Sequence, residues 1–127
     1  IFTTDDMGKT WTAHATNLKA LPEPAACQAS QLAVENSGNI GRALLFSNPA
    51  KTAAPRALMT LKASFDEGST WPSGSQVLYD SRPSSGYSDI CETGDGHIGV
   101  LYEGLNGDEN IFFLRIPYEH IHITDYQ

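Results

Sequence analysis

Apolar residues in this chain come in short runs, each closed by glycine, proline or small polar residues. The clearest run is Leu58–Phe65. Leu58, Thr60, Lys62 and Ser64 alternate there with Met59, Leu61, Ala63 and Phe65, the period of two that sends successive side chains to opposite faces of a strand. Further strands are predicted over Cys27–Val34, Ala43–Ser47, Gln76–Tyr79, Tyr87–Cys91, His97–Glu103 and Asn110–Ile116. Asp80–Gly86 is rich in turn formers, and Asp95-Gly96 and Asn106-Gly107-Asp108 are hairpin-type turns. No segment has the spacing of an amphipathic helix, and Tyr118–Gln127 fits a short helix or a last strand equally. The expectation is an all-β chain of antiparallel meanders. About eight strands would form two four-stranded sheets, as a small sandwich or as two blades of a propeller.

Composition narrows the function classes. The 127 residues suit one domain or part of one, and 40% apolar content is enough to fill a core. Fifteen acidic against eight basic side chains give a net charge of -7, which disfavours a nucleic-acid partner, since phosphate backbones require clustered Lys and Arg. No run approaches the ~20 apolar residues of a membrane span. The start, Ile1-Phe2-Thr3-Thr4-Asp5-Asp6, has neither the basic then apolar order of a signal peptide nor an initiator Met. Either something was removed before Ile1 or the chain is a piece of something longer. Cys27 and Cys91 are expected to be free thiols. His14, His97, His120 and His122 have no metal-ligand pattern.

One self-similarity organises the chain. Thr4-Asp5-Asp6-Met7-Gly8-Lys9-Thr10-Trp11 recurs as Ser64-Phe65-Asp66-Glu67-Gly68-Ser69-Thr70-Trp71, sharing Ser/Thr-x-Asp-x-Gly-x-Thr-Trp. In each copy the aspartate can accept hydrogen bonds from its own turn. Gly8 or Gly68 can take positive φ, and Trp11 or Trp71 can bury a ring beneath the loop. Such a clamp needs no ligand, so Asp6 and Asp66 read as structural rather than catalytic.

These octapeptides are Asp-boxes, and their pairing resembles the repeat of bacterial sialidases. Three more stretches carry the resemblance across nearly the whole chain. They are Leu21-Pro22-Glu23-Pro24 leading into Cys27-Gln28-Ala29-Ser30, then Leu44-Leu45-Phe46-Ser47-Asn48-Pro49-Ala50 with Arg56, then Gly86-Tyr87-Ser88-Asp89-Ile90 followed by Ile98-Gly99-Val100-Leu101-Tyr102-Glu103. The resemblance implies a six-bladed β-propeller of which residues 1–127 are the C-terminal portion of the catalytic domain. It implies a retaining exo-α-sialidase without metal or organic cofactor, acting on terminal sialic acid of glycoconjugates, and a secreted or periplasmic location.

In such enzymes three arginines grip the substrate carboxylate, a tyrosine is the nucleophile, a glutamate is its base, and an aspartate is acid/base. By position Arg56 resembles the third arginine, with Arg42 its competitor. Its planar fork of donors matches a carboxylate. Tyr87 matches the nucleophile. Sialic acid bears a carboxylate on its anomeric carbon, so an uncharged phenol approaches without the repulsion a carboxylate would meet. Because a neutral phenol is a weak nucleophile it requires the base. Glu103 matches a glutamate that orients the first arginine through a salt bridge. Gln28 and Ser30 are weaker candidates near the pocket rim, Asp80, Asp89 and Asp95 read as turn or strand-end residues, and Asp108 and Glu109 as a solvated loop.

The remaining machinery has no match in these residues: the acid/base aspartate, the base glutamate and the other two arginines are expected upstream. The expected partners are a sialylated glycan and the N-terminal remainder of the same propeller, with no nucleic acid and no membrane span, and little activity is expected of the chain alone. Two other functions fit the boxes: a non-catalytic Asp-box segment for glycan or protein binding, which needs neither Arg56 nor Tyr87, and a trans-sialidase. Convergence of the Arg56 and Tyr87 side chains within hydrogen-bonding reach of one small carboxylate-bearing ligand would favour catalysis, and separation beyond ~10 Å the binding module, since bond-making chemistry requires contact geometry.

Overall fold

The computed structural model describes residues 1–17, 19–35, 42–84, 86–104 and 110–121. Within them the chain is all-β, with two short 3-10 turns at Ser73–Ser75 and Tyr118–Ile121. No helix among the described residues is long and apolar enough to cross a membrane. The strands are β1 (Phe2–Thr3), β2 (Thr12–Ala13), β3 (Ser30–Val34), β4 (Ala43–Pro49), β5 (Met59–Ser64), β6 (Gln76–Asp80), β7 (Ser88–Glu92), β8 (His97–Gly104) and β9 (Asn110–Pro117).

Three antiparallel sheets result. β1 and β2 form a two-stranded ribbon, β3-β4-β5-β6 a four-stranded meander, and β7-β8-β9 a three-stranded one. The β7-β8-β9 sheet has three strands among the described residues where four were expected. Pairing places Leu45 opposite Leu32 and Ala63, and Val100 opposite Ile90 and Leu114, and the register shifts once, between Met59 and Thr60 where β5 meets β6. Asn106-Gly107-Asp108, Asp108 and Glu109 included, and residues 122–127 with His122 lie outside the described residues.

The two larger sheets pack face to face, as successive propeller blades do. Val34, Ala43, Leu45, Met59, Leu61 and Ala63 of the first meet Ile90, Ile98, Val100, Tyr102, Ile116 and Ile121 on the other side. The first sheet is also covered on its far face, where Leu21, Phe46 and Trp71 form a second cluster. Every residue of β5 is therefore buried. Its alternation does not separate a wet face from a dry one, because Thr60, Lys62 and Ser64 are buried as well. The Lys62 Nζ donates to the Ala20 carbonyl at 2.9 Å, and burial pushes its pKa down.

Both Asp-boxes form the expected clamp with matching bonds. Thr4 Oγ1 donates to Asp6 Oδ1 at 2.8 Å, as Ser64 Oγ does to Asp66 Oδ1 at 2.8 Å. The Thr10 and Thr70 amides donate to the same oxygens at 2.8 Å, and their hydroxyls to the other oxygen at 2.7 and 2.6 Å. Gly8 and Gly68 have φ of 88° and 87°, each preceded by a residue also at positive φ. The indole of Trp11 or Trp71 donates to the glycine carbonyl of its own box at 3.1 or 3.2 Å. The copies part at the ring. Trp71 is buried against Phe46 in an edge-on contact, whereas Trp11 is 60% exposed, because the two-residue strands beside it bring no sheet over the indole.

Candidate functional site

The predicted strand over Cys27–Val34 begins only at Ser30. Pro22 and Pro24 punctuate the approach, and Ala26 takes φ +53°, so residues 22–29 run as irregular chain across one end of the first sheet. This departure builds the site. Arg56 lies in the β4–β5 connection, and its Nη2 donates to the carbonyls of Ala25 at 3.1 Å and Ala26 at 2.7 Å. Two acceptors on one nitrogen fix the plane of the guanidinium. Asn48 anchors the other end of the segment, donating from Nδ2 to the Pro22 carbonyl at 2.9 Å.

Tyr87 precedes β7 and belongs to the second sheet. Its backbone exchanges bonds with Glu103 near the end of β8: the Glu103 amide donates to the Tyr87 carbonyl at 3.0 Å, and the Tyr87 amide to Glu103 Oε2 at 3.2 Å. Next along the chain, Ser88 Oγ sits 2.9 Å from Ser47 Oγ, which is 2.9 Å from the Tyr79 hydroxyl. This buried hydroxyl chain rivets β7 to β4. Burial pushes the Tyr79 phenol up to about 12, so it stays a neutral hydrogen-bonding group. Ser30 adds a second rivet, donating to Asp89 Oδ1 at 3.2 Å and accepting from the Ile90 amide at 3.2 Å.

Gly86 joins the two halves at φ +101°. A Cβ there would lie 2.9 Å from Cys27 Sγ and 3.0 Å from both Arg56 Cδ and Pro49 Cγ, so only glycine passes at this point. Its amide donates to Ser84 Oγ at 3.0 Å, its carbonyl accepts from the Cys27 thiol at 3.3 Å, and Ser84 Oγ donates to the Glu103 carbonyl. The outcome is that the Arg56 Cζ lies over the Tyr87 ring, 5.8 Å from its centroid. That is cation–π range and short of the ~10 Å separation that would favour the binding module. Tyr87 remains 45% exposed, open to a ligand.

The other candidates lie elsewhere or do other work. Arg42 precedes β4, at the end opposite to Arg56, and pairs with Glu67 of the second Asp-box at 3.0 Å. Seven strand residues separate the two arginines, roughly 20 Å at the usual rise. Within the described residues Glu103 holds the Tyr87 amide, while the arginine it is expected to orient is not among them. Gln28 is exposed. Asp95 pairs with Arg115 and with His97 at 3.2 Å on the β7–β8 turn, and Cys27 and Cys91 are free thiols, not joined in a disulfide. Sequence reading missed the partners of Asp80, which is buried, bonded to Arg82 Nη2 at 2.7 Å and to the Tyr102 hydroxyl at 3.1 Å. It also missed the carbonyls of Ala25 and Ala26. Backbone acceptors leave no mark in a sequence, although Pro-x-Pro and the dense turn formers of Asp80–Gly86 marked where irregular chain would gather.

No protein-family model matches the chain. A sialidase of Bacteroides fragilis is 44% identical over 102 residues, covering 79% of this chain and 18% of that protein. The solved structure of the Hadza microbial sialidase Hz136 superposes with a TM-score of 0.80 at 38% identity, over 93% of this chain and 22% of that one. The chain thus spans about a fifth of the length of the sialidases it matches.

Proposed function

We propose that this chain, which corresponds to a segment of a bacterial sialidase, supplies the nucleophile side of the active site in a six-bladed exo-α-sialidase propeller. The observation that carries the reading is the Arg56 guanidinium over the Tyr87 ring, brought together from two sheets. Arg56 holds the carboxylate of a terminal sialic acid. The Tyr87 oxygen attacks the anomeric carbon from one side while the bond to the leaving oxygen breaks on the other. A glutamate from the rest of the propeller takes the phenol proton, and an aspartate protonates the leaving oxygen. Water then attacks the anomeric carbon, giving a proton to the aspartate, as the aryl glycoside bond to Tyr87 breaks and the glutamate returns the phenol proton, so sialic acid leaves with net retention. Glu103 positions Tyr87 through its amide. The remaining blades close the cavity, and the enzyme works outside the cytoplasm on glycoconjugates.

The test uses the complete protein carrying this segment and a fluorogenic α-sialoside. Tyr87→Phe is expected to lower kcat on the order of 10³-fold or more while the melting temperature holds. Arg56→Lys, which replaces a fork by a point charge, is expected to raise KM about tenfold. Full activity of Tyr87→Phe would reject the nucleophile. A folded wild-type protein that binds sialoglycans without cleaving them would favour the non-catalytic Asp-box module instead. The 127-residue chain alone is expected to release no fluorophore above background.

A further inference from the structure

The segment Pro22–Cys27 touches Arg56 and the glycine that immediately precedes Tyr87. Its carbonyls at Ala25 and Ala26 hold the Arg56 guanidinium. Its last side chain, the Cys27 thiol, donates to the carbonyl of Gly86, whose peptide leads directly into Tyr87. Arg56, Cys27 and Pro49 enclose the Gly86 Cα so closely that a methyl group would not fit. Burial pushes the Cys27 thiol up, so it remains protonated and able to donate at neutral pH.

We propose that Cys27 is a positioning residue for the Tyr87–Arg56 pair, the thiol fixing the Gly86 carbonyl so that the phenol is delivered at a set distance from the guanidinium. Cys27 does not reach the substrate. It acts through the Gly86–Tyr87 peptide, while the backbone just before it acts through Arg56. The proposal rests on the sialidase reading for its kinetic consequence, and on geometry alone for its structural one. Small displacements at a reacting group cost disproportionately in rate, so the effect belongs in kcat. Arg56 keeps its carbonyl partners when the thiol is removed, so KM is spared.

The test compares Cys27→Ala, Cys27→Val and Cys27→Ser in the complete protein. Alanine removes the donor, valine removes it while filling the space, and serine keeps a donor. Alanine and valine are each expected to lower kcat about threefold to tenfold with KM within about twofold, and serine to stay within about twofold of wild type in both. Melting temperatures of all three are expected within about 2 °C of wild type. Unchanged kcat in alanine and valine overturns the proposal, as does serine failing to recover what they lose. A loss shared by all three in proportion to a falling melting temperature also overturns it, by showing a packing role only. Crystal structures of the wild type and Cys27→Ala give a readout that needs no activity. The separation of Arg56 Cζ from the Tyr87 ring is expected to move by about 1 Å. An unmoved pair overturns the positioning role even if the sialidase reading itself fails on an inactive wild type.

Discussion

Gly86 shows most directly how one residue serves this site. Its φ of +101° lies where a side chain is strained, and three neighbours close on its Cα. Gly86→Ala is therefore expected to cost about 1–3 kcal/mol from strain and overpacking together, measured as a shift in the urea midpoint. The same substitution pushes Arg56 and the Cys27 turn away from Tyr87, so activity is expected to fall further than the loss of folded protein accounts for. By contrast, Gly94 has no atom within 4 Å of a Cβ built on it. Gly94→Ala tests strain without crowding, and it is expected to leave activity at the wild-type level while lowering stability slightly.

At the scale of elements, the two Asp-boxes form a controlled pair. Both carry the same hydrogen bonds, but only the second shelters its tryptophan. Asp66→Ala is thus expected to lower the melting temperature more than Asp6→Ala, because it frees Trp71 from a packed cluster whereas Trp11 already meets solvent. Acid acts on the same devices. The Thr10 amide and hydroxyl and Thr4 hold Asp6 down to about 2. The Thr70 hydroxyl and amide lower Asp66, and the Arg82 side chain brings Asp80 to about 2. Groups depressed on folding stabilise the native state above the ordinary carboxylate value and lose that contribution as the folded form protonates. Urea midpoints are expected to hold from neutral pH to about pH 4 and to fall between about pH 4 and pH 2. A flat profile across that window would show the clamps to be energetically idle. The elements themselves differed in how plainly the sequence displayed them. The seven strands from β3 to β9 follow from apolar runs cut by turn formers, and the boxes from their repeat. β1 and β2 were invisible, because two residues carry no periodicity. The approach of Arg56 to Tyr87 could be expected only from the family resemblance, because the contacts that create it are carbonyls of Ala25 and Ala26 and a bare Cα at Gly86.

For the whole molecule, the first sheet is covered on both faces and the second on one. Leu101, Ile111 and Phe113 point away from the shared core with exposures of 48%, 70% and 58%. Phe2 and Trp11 are similarly bare at the other end of the chain. Exposed large apolar side chains favour association when they are grouped, as Leu101 and Phe113 are by strand pairing. The isolated chain is expected to sediment as oligomers at tens of micromolar, and Ile111→Ser with Phe113→Ser to shift it toward monomer. A strictly monomeric wild-type chain would show that this surface is not sticky.

The guanidinium and the phenol belong to separate leaves of the fold, so no single leaf dictates the gap between them. That gap is an aperture whose width follows the pitch between leaves, and the Ser47–Ser88 contact acts as the set screw. Evolution or an engineer can retune such an aperture from behind, by changing what fills the seam, without altering either jaw.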